Sequence, residues 1–138
     1  MPPPNDNQPP GARSSDDLSG LQILLVEDSP DIGELVKAFL ELEGVIVAGP
    51  ATTVTEAKRL MAERHPHIAL VDFHLRDDNA YGLIALLREL HVPVIVISGS
   101  IESPPPTSLK GLVMLEKPFT EAQLLGCLRL LIAKKVPR

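Results

Sequence analysis

The sequence is poor in several residues whose presence would point to a particular environment or partner. It has one cysteine, Cys127, which cannot form a disulfide within the chain, no tryptophan, and only 3% aromatic residues. Its formal charge of -5 argues against a nucleic-acid surface, because such surfaces need basic clusters and stacking rings. No apolar run approaches the roughly 20 residues that cross a bilayer, and no secretory signal pattern is present. These absences predict a cytoplasmic protein with no direct nucleic-acid or membrane partner.

Apolar side chains are plentiful enough to form one core. The chain has 138 residues, of which 44% are hydrophobic, as expected of a single globular domain. Residues 1–20 differ from the rest, because they hold five of the fourteen prolines and few apolar side chains. Such a segment cannot bury enough surface to offset the entropy lost on ordering. We therefore expect a flexible proline-rich leader over 1–20 and a folded domain over 21–138.

After residue 20, short aliphatic runs alternate with helical patterns. Nearly continuous apolar runs are typical of parallel strands covered on both faces, and five of them occur, at 21–26, 45–49, 68–72, 92–98 and 112–115. The first helix is predicted from Ser29-Pro30 to Gly44, and a helix is predicted over about 80–90. The second and last helices begin with capping boxes, at Thr53 and Thr120. The alternation predicts an open parallel α/β sheet.

The segment between the fourth and fifth strands breaks this alternation. It reads "GSIESPPPTSLKG", with three consecutive prolines where a further helix is expected. Proline inside a helix removes a backbone hydrogen bond and clashes with the preceding turn. The fourth helix is therefore predicted to be short or missing.

Polar residues follow four of the predicted strands where each strand ends. Glu27 and Asp28 follow the first strand, Asp72 ends the third, Ser98 ends the fourth, and Lys117 follows the fifth. The carboxyl ends of parallel strands share one edge of the sheet, where open α/β sheets bind ligands. Two carboxylates 4 Å apart repel by about 4 kcal/mol at an effective dielectric of about 20, so water or a cation must compensate.

Each of these residues has an ordinary structural explanation when taken alone. Acids at a strand end favour the following helix N-terminus, and a lone serine, aspartate or lysine can be a cap, a turn residue or a surface residue. Their joint placement on one edge favours a functional site instead. Mg²⁺ prefers oxygen ligands, and a carboxylate attacking a phosphoryl group needs the positive charge that a cation and a lysine supply.

The ordered set of motifs resembles the receiver domain of two-component response regulators over essentially all of 21–138. The resemblance lies in an acidic pair after the first strand, an aspartate ending the third, a hydroxyl and a small residue (Ser98-Gly99) ending the fourth, and Lys-Pro-Phe after the fifth. It implies a flavodoxin-like (CheY-like) (βα)5 fold, a three-layer sandwich with a five-stranded parallel sheet. It also implies that Asp72 accepts a phosphoryl group from a histidine kinase or a histidine phosphotransferase.

The resemblance further assigns roles around Asp72. Mg²⁺ or Mn²⁺ would be held by Asp28, Asp72 and the backbone carbonyl of His74, with Glu27 contributing mainly through water. Ser98 and Lys117 would bind phosphoryl oxygens, and the Lys117–Pro118 peptide would be cis. The four histidines lack the spacing of a zinc site.

These assignments imply a single-domain response regulator. It would catalyse its own phosphorylation and dephosphorylation without being a dedicated enzyme, and would signal through a downstream protein partner. Relay of the phosphoryl group, a phosphate sink, and partner binding all remain open. The aliphatic last helix could offer a homodimer face or merely add to the core, and we slightly favour partner contact.

Three features depart from the family pattern. The segment after Asp72 has Arg76 and a late glycine, Gly82, which predicts a differently shaped loop. Met114 stands three residues before the lysine, where many receivers have an aromatic switch residue. The triple proline is the third departure. Together these features partly resemble the stand-alone "FAT GUY" receivers, with which the chain shares only Pro93, Ser98 and Gly99.

Other classes of protein fit the motifs less well. A Rossmann-type nucleotide site needs a glycine-rich turn after the first strand, where this chain has acids that would repel a pyrophosphate. A haloacid-dehalogenase-type phosphohydrolase needs an Asp-x-Asp motif after its first strand, which Asp72-Phe73-His74 does not supply. The remaining alternative is a pseudo-receiver, a protein-binding module that works without phosphorylation.

Overall fold

The computed structural model describes residues 18–75, 80–99 and 111–135. Five strands and four helices lie within these ranges. The strands are β1 (Gln22–Val26), β2 (Ile46–Ala51), β3 (Ile68–Asp72), β4 (Val94–Ser98) and β5 (Val113–Glu116). The helices are α1 (Pro30–Leu42), α2 (Val54–Arg64), α3 (Tyr81–Glu89) and α4 (Glu121–Lys135). No helix in the described part of the chain is long and apolar enough to span a membrane.

The strands form one parallel sheet in the order β2-β1-β3-β4-β5. The central strand β3 pairs with β1 and β4, and its last residue, Asp72, lies opposite Ile97 of β4. Ser98, one residue further along β4, lies opposite Glu116 of β5. The predicted flavodoxin-like (CheY-like) fold is confirmed.

The two faces of the sheet each carry an apolar cluster, which gives the molecule three layers. On one face, residues of α1 and α4 such as Leu40 and Leu128 pack against alternate residues of the strands. On the other face, residues of α2 and α3 such as Met61 and Leu87 pack against the intervening ones. All five residues of β3 are buried, as expected for a central parallel strand.

The helix starts agree with the predicted capping signals, with one exception. In α4, the Thr120 hydroxyl accepts from the Gln123 N–H at 3.1 Å and the Gln123 side chain accepts from the Thr120 N–H at 2.8 Å, a complete capping box. In α2, the Thr53 hydroxyl accepts from the Glu56 N–H at 3.1 Å. Ser29 occupies the N-cap position of α1, but its side chain makes no capping hydrogen bond.

Some predicted boundaries need correction. Leu18 is buried in the core and its carbonyl accepts from the Leu21 N–H, so the packed chain begins at least three residues before the predicted boundary. β2 continues to Ala51, beyond its predicted end at residue 49. Three stretches lie outside the described residues: the rest of the predicted leader (1–17), the loop residues 76–79, and the segment 100–110, where the short or missing helix was predicted.

The last helix has more apolar residues than one narrow stripe requires, and the additional ones belong to the core. Its apolar residues predicted as either core or dimer face are all buried: Leu124, Leu125, Leu128, Leu131 and Ile132. Leu130 is the exposed large apolar residue on this helix. These five residues therefore give no argument for a homodimer, and partner contact through the last helix stays a prediction.

Candidate functional site

Three acids meet at the carboxyl edge of the sheet. Glu27 and Asp28 follow β1, Asp72 ends β3, and one carboxylate oxygen from each lies within 4.8 Å of the others. Glu27 and Asp72 are buried, at 1% and 3% exposure, whereas Asp28 is half-buried. The convergence predicted from the strand ends is thus present for the acids.

Lys117 joins two of these acids. Its Nζ lies 3.0 Å from Glu27 Oε1 and 3.1 Å from Asp72 Oδ2, with a hydrogen bond to the latter. The Lys117–Pro118 peptide is cis, as predicted. The backbone N–H of Lys117 donates to the carbonyl of Ser98 at 2.8 Å, which fixes the lysine to the end of β4.

Backbone donors hold the two buried carboxylates in place. The Ser29 N–H donates to Glu27 Oε2 at 3.1 Å, and the His74 N–H donates to Asp72 Oδ1 at 3.0 Å. The backbone of Glu27 is itself anchored, because its N–H donates to the Ala51 carbonyl at 2.8 Å. The orientation of each carboxylate is therefore set by the strand ends and by the first residues after them.

Burial and crowding shift the acid–base properties of this group. Burial, together with the side chain of Asp72, raises the pKa of Glu27 from 4.5 to about 7, although the Ser29 N–H acts in the opposite direction. Burial by itself would lower the pKa of Lys117, but the neighbouring Glu27 and Asp72 outweigh it and raise that pKa. Lys117 is therefore a permanent cation here, while Glu27 can change its charge near neutral pH.

Ser98 and Gly99 lie beside this cluster. Ser98 is 2% exposed at the end of β4, one residue beyond the position paired with Asp72. A Cβ added to Gly99 would meet no atom of the described residues within 4 Å.

The donor set suits a hard divalent cation. Three carboxylates gather within 4.8 Å of one another here, and the Lys117 ammonium contacts two of them, Glu27 and Asp72. Glu27 Oε1 is fully buried and makes no hydrogen bond in the described structure, the Lys117 ammonium lying near it outside hydrogen-bond geometry. Mg²⁺ and Mn²⁺ take oxygen ligands of this kind. The cluster contains no histidine or cysteine side chain.

Sequence reasoning did not anticipate two structural features near the acids. One is the pair of backbone donors, Ser29 and His74, which leaves no recognisable sequence signal. The other is a contact between Gly33 of α1 and Pro50 of β2, close to Glu27. The sequence does contain a signal for this contact, namely a glycine inside a helix and a Gly-Pro pair inside a strand. Both are unfavourable unless packing requires them.

Met114, which stands where many receivers have an aromatic residue, lies in β5 opposite Val96. Its side chain is half-buried against the α2–α3 face of the sheet. A flexible thioether therefore lies where many receivers have an aromatic ring.

Comparison with known proteins agrees with this geometry. Residues 23–129 match the response regulator receiver domain family. The chain belongs to that family. It is 35% identical over 113 residues to the phyllosphere-induced regulator PhyR of Methylorubrum extorquens, a match covering 75% of this chain and 40% of that protein. It is 35% identical over 112 residues to the nitrogen assimilation regulatory protein NtrX of Azorhizobium caulinodans, covering 74% of this chain and 24% of that protein.

Solved receiver structures share the fold. A CheY-like receiver domain protein of Methanospirillum hungatei superposes with a TM-score of 0.76, at 23% identity, over 83% of this chain and 95% of its own. The HemR receiver domain of Leptospira biflexa gives a TM-score of 0.73, at 26% identity, over 86% of this chain and 98% of its own. The receiver spans less than half of the curated relatives above. The likeness to the FAT GUY group is not tested by these matches and stays a prediction.

Proposed function

We propose that this receiver accepts a phosphoryl group on Asp72, in a Mg²⁺- or Mn²⁺-dependent reaction, from a histidine kinase or a histidine phosphotransferase. The observation that supports it is a buried Asp72 carboxylate whose two oxygens are already held, one by the His74 N–H and the other by Lys117. A nucleophile fixed in this way meets the phosphoryl group in one orientation, which lowers the entropy cost of transfer.

In this reaction an Asp72 oxygen forms a bond to phosphorus while the bond from phosphorus to the donor, a histidine nitrogen or an acyl oxygen, breaks. The Lys117 ammonium, 3.1 Å from Asp72, then turns to the negative charge of the transferred oxygens. The Ser98 hydroxyl, at the end of β4, would donate a further hydrogen bond to a transferred oxygen. The same groups serve dephosphorylation, in which a water oxygen forms a bond to phosphorus while the bond from phosphorus to the Asp72 oxygen breaks, releasing inorganic phosphate and the free carboxylate.

The cation would be held by Asp28, Asp72 and the His74 carbonyl, with Glu27 acting mainly through water. When bound, it supplies positive charge next to the phosphoryl oxygens and balances the excess of carboxylates. Asp28, the half-buried member, has the solvent access that a cation with several retained waters requires.

Signalling would result from phosphorylation-dependent contact with a partner protein or from onward transfer of the phosphoryl group. The second candidate is a pseudo-receiver that binds its partner without phosphorylation, and the one feature in its favour is Met114 in place of an aromatic. The full set of acids together with Lys117 supports the phosphorylated form.

Incubation with acetyl phosphate and Mg²⁺, followed by intact-mass measurement, separates the two candidates. We expect the wild type to gain the mass of one phosphoryl group and Asp72→Asn to gain none, with its fold intact by circular dichroism. Asp31→Asn, an exposed acid in the first turn of α1, is the matched control and should be labelled normally. An unlabelled wild type, or a fully labelled Asp72→Asn, would favour the pseudo-receiver.

A further inference from the structure

Glu27 is the most enclosed acid of the site, and the end of β2 and the first turn of α1 both contact it. Its N–H donates to the Ala51 carbonyl at the end of β2, and its Oε2 accepts from the Ser29 N–H at the start of α1. Its aliphatic stem faces Gly33, one turn further along α1. Glu27 is therefore placed by the relative position of α1 and the end of β2.

The contact between α1 and β2 beside Glu27 is unusually close. A Cβ built on Gly33 would lie 3.0 Å from both Cβ and Cγ of Pro50, and 3.7 Å from Cγ of Glu27. Ordinary van der Waals contacts of such an atom lie at 3.4–4 Å. The Pro50 ring would thus have to move by a few tenths of an ångström to admit a methyl group at position 33.

A local irregularity in β2 accompanies this contact. β1 pairs Leu24 with Ala48 and Val26 with Ala51, so β2 has one extra residue over this stretch. Gly49 lies there with φ of +116°, and a Cβ on it would come within 2.5 Å of the Leu25 carbonyl oxygen. The extra residue lets Ala51 still reach the Glu27 N–H while Pro50 faces α1.

We propose that Gly33 and Pro50 are positioning residues for Glu27, and that their close contact sets the affinity of the acidic cluster for its divalent cation. The proposal rests on the proposed function for the identity of that cation. A methyl group at position 33 requires the Pro50 ring to give by a few tenths of an ångström, through a shift of β2 or of the start of α1. Displacement of β2 disturbs the Ala51–Glu27 bond, and displacement of α1 disturbs Ser29, whose carbonyl accepts from the Gly33 N–H at 2.9 Å. Both routes move Glu27.

Gly33→Ala is the direct test, with Gly126→Ala as its matched control. Both substitute a glycine inside a helix, so both give the same gain in helix propensity. A Cβ on Gly126, an exposed residue of α4, meets nothing within 4 Å among the described residues. The two variants therefore differ in the contact with Pro50 and Glu27.

The first readout needs no cation. The side-chain carboxyl carbon resonance of Glu27, assigned by its loss in Glu27→Gln, should shift in metal-free Gly33→Ala and stay in place in Gly126→Ala. The second readout is a Mg²⁺ titration followed by amide resonances of β1 and β3. We expect Gly33→Ala to bind Mg²⁺ roughly tenfold more weakly, the effect typical of residues that orient metal ligands, and Gly126→Ala to bind like the wild type.

Labelling by acetyl phosphate adds a readout that a general loss of structure would not give. In Gly33→Ala the Mg²⁺ concentration for half-maximal rate should rise roughly tenfold, while the rate at saturating Mg²⁺ stays close to that of the wild type. If Gly33→Ala does not fold, Pro50→Ala, which removes the ring Cγ and Cδ from the same contact, is subjected to the same readouts and should also weaken Mg²⁺ binding.

Unchanged Mg²⁺ affinity in a folded Gly33→Ala, or an unchanged Glu27 resonance, would overturn the proposal. A lower maximal rate with unchanged Mg²⁺ dependence would overturn it as well, because the defect would then lie outside cation binding. Failure of the proposed function looks different: the wild type itself would show no Mg²⁺ binding or no labelling, whereas the Glu27 resonance would still report on the Gly33 contact.

Discussion

Asp72 has a neighbouring strand on each side, and the two sides of the sheet edge are packed to different degrees. On the β1–β2 side, Glu27 is fixed through its backbone, its carboxylate and its stem, and a glycine is needed for α1 to come close enough. On the β4–β5 side, a half-buried Met114 lies where a rigid ring is common in the family, and a Cβ on Gly99 would meet no atom of the described residues within 4 Å. The β1–β2 side is thus closely packed around Glu27, whereas the described residues of the β4–β5 side are packed more loosely.

This difference predicts that the two sides of the sheet edge have different roles. Cation binding and phosphoryl chemistry need atoms held within fractions of an ångström, which close packing provides. A response to the added group needs an element with more than one arrangement, which loose packing permits. Substitutions that disturb the enclosure of Glu27 should therefore change the chemistry, whereas a substitution at Met114, which takes no part in the proposed chemistry, should change only the response to phosphorylation.

Lys117→Met should give the largest effect, because Lys117 is the residue that connects the two sides. Loss of one preorganised charged donor typically lowers a reaction rate by about 10²–10³-fold, and we expect a labelling rate lower by that factor. Mg²⁺ affinity should rise at the same time, because the site becomes more negative. Stopped-time mass spectrometry and a Mg²⁺ titration measure the two changes. Labelling at the wild-type rate would show that Lys117 is not part of the chemistry.

The pKa of Glu27 gives the next largest effect, on stability. Because it is raised from 4.5 to about 7, the folded state retains a proton over this interval that the unfolded state has lost. The free energy of unfolding without metal should therefore fall as the pH rises from 4.5 to 7, by an amount on the order of 2–3 kcal/mol, and level off above 7.

Urea unfolding of the metal-free protein at pH 5 and pH 8 measures this change. Glu27→Gln, which cannot ionise, is the control and should lose most of the difference. Mg²⁺ should restore stability at pH 8 more than at pH 5, because the ionised carboxylate is the form that favours cation binding. Equal pH dependence in the wild type and Glu27→Gln would show that this carboxylate titrates as it does in the unfolded chain.

Met114→Ala should give the smallest effect. Because the side chain is only half-buried, we expect a loss of about 1 kcal/mol in unfolding free energy and a labelling rate within about twofold of the wild type. Val113→Ala, the neighbouring position on the opposite face of β5, is the matched control. A large loss of labelling in Met114→Ala alone would show that the β4–β5 side is coupled to the chemistry after all.

The fold, and the set of residues at the carboxyl edge of the sheet, were predictable because both depend on local patterns. Five apolar runs with capping boxes between them specify the alternation, and the last residue of each strand necessarily lies at the shared edge. Leu18 escaped prediction because one leucine after a proline-rich stretch carries no periodicity. The enclosure of Glu27 by Gly33 and Pro50 escaped for a different reason, since it depends on a one-residue irregularity between two strands and on the approach of a helix, neither of which any local pattern specifies.

The most direct test of the central claim is to locate the phosphoryl group within the chain. After labelling with acetyl phosphate and Mg²⁺, borohydride reduces an aspartyl phosphate to homoserine, and mass spectrometry of peptides then identifies the altered position. We predict that the alteration lies at Asp72 and that Asp28, in the same cluster, remains aspartate. Labelled protein in which Asp28 or any residue other than Asp72 is altered would contradict the proposed role of this site.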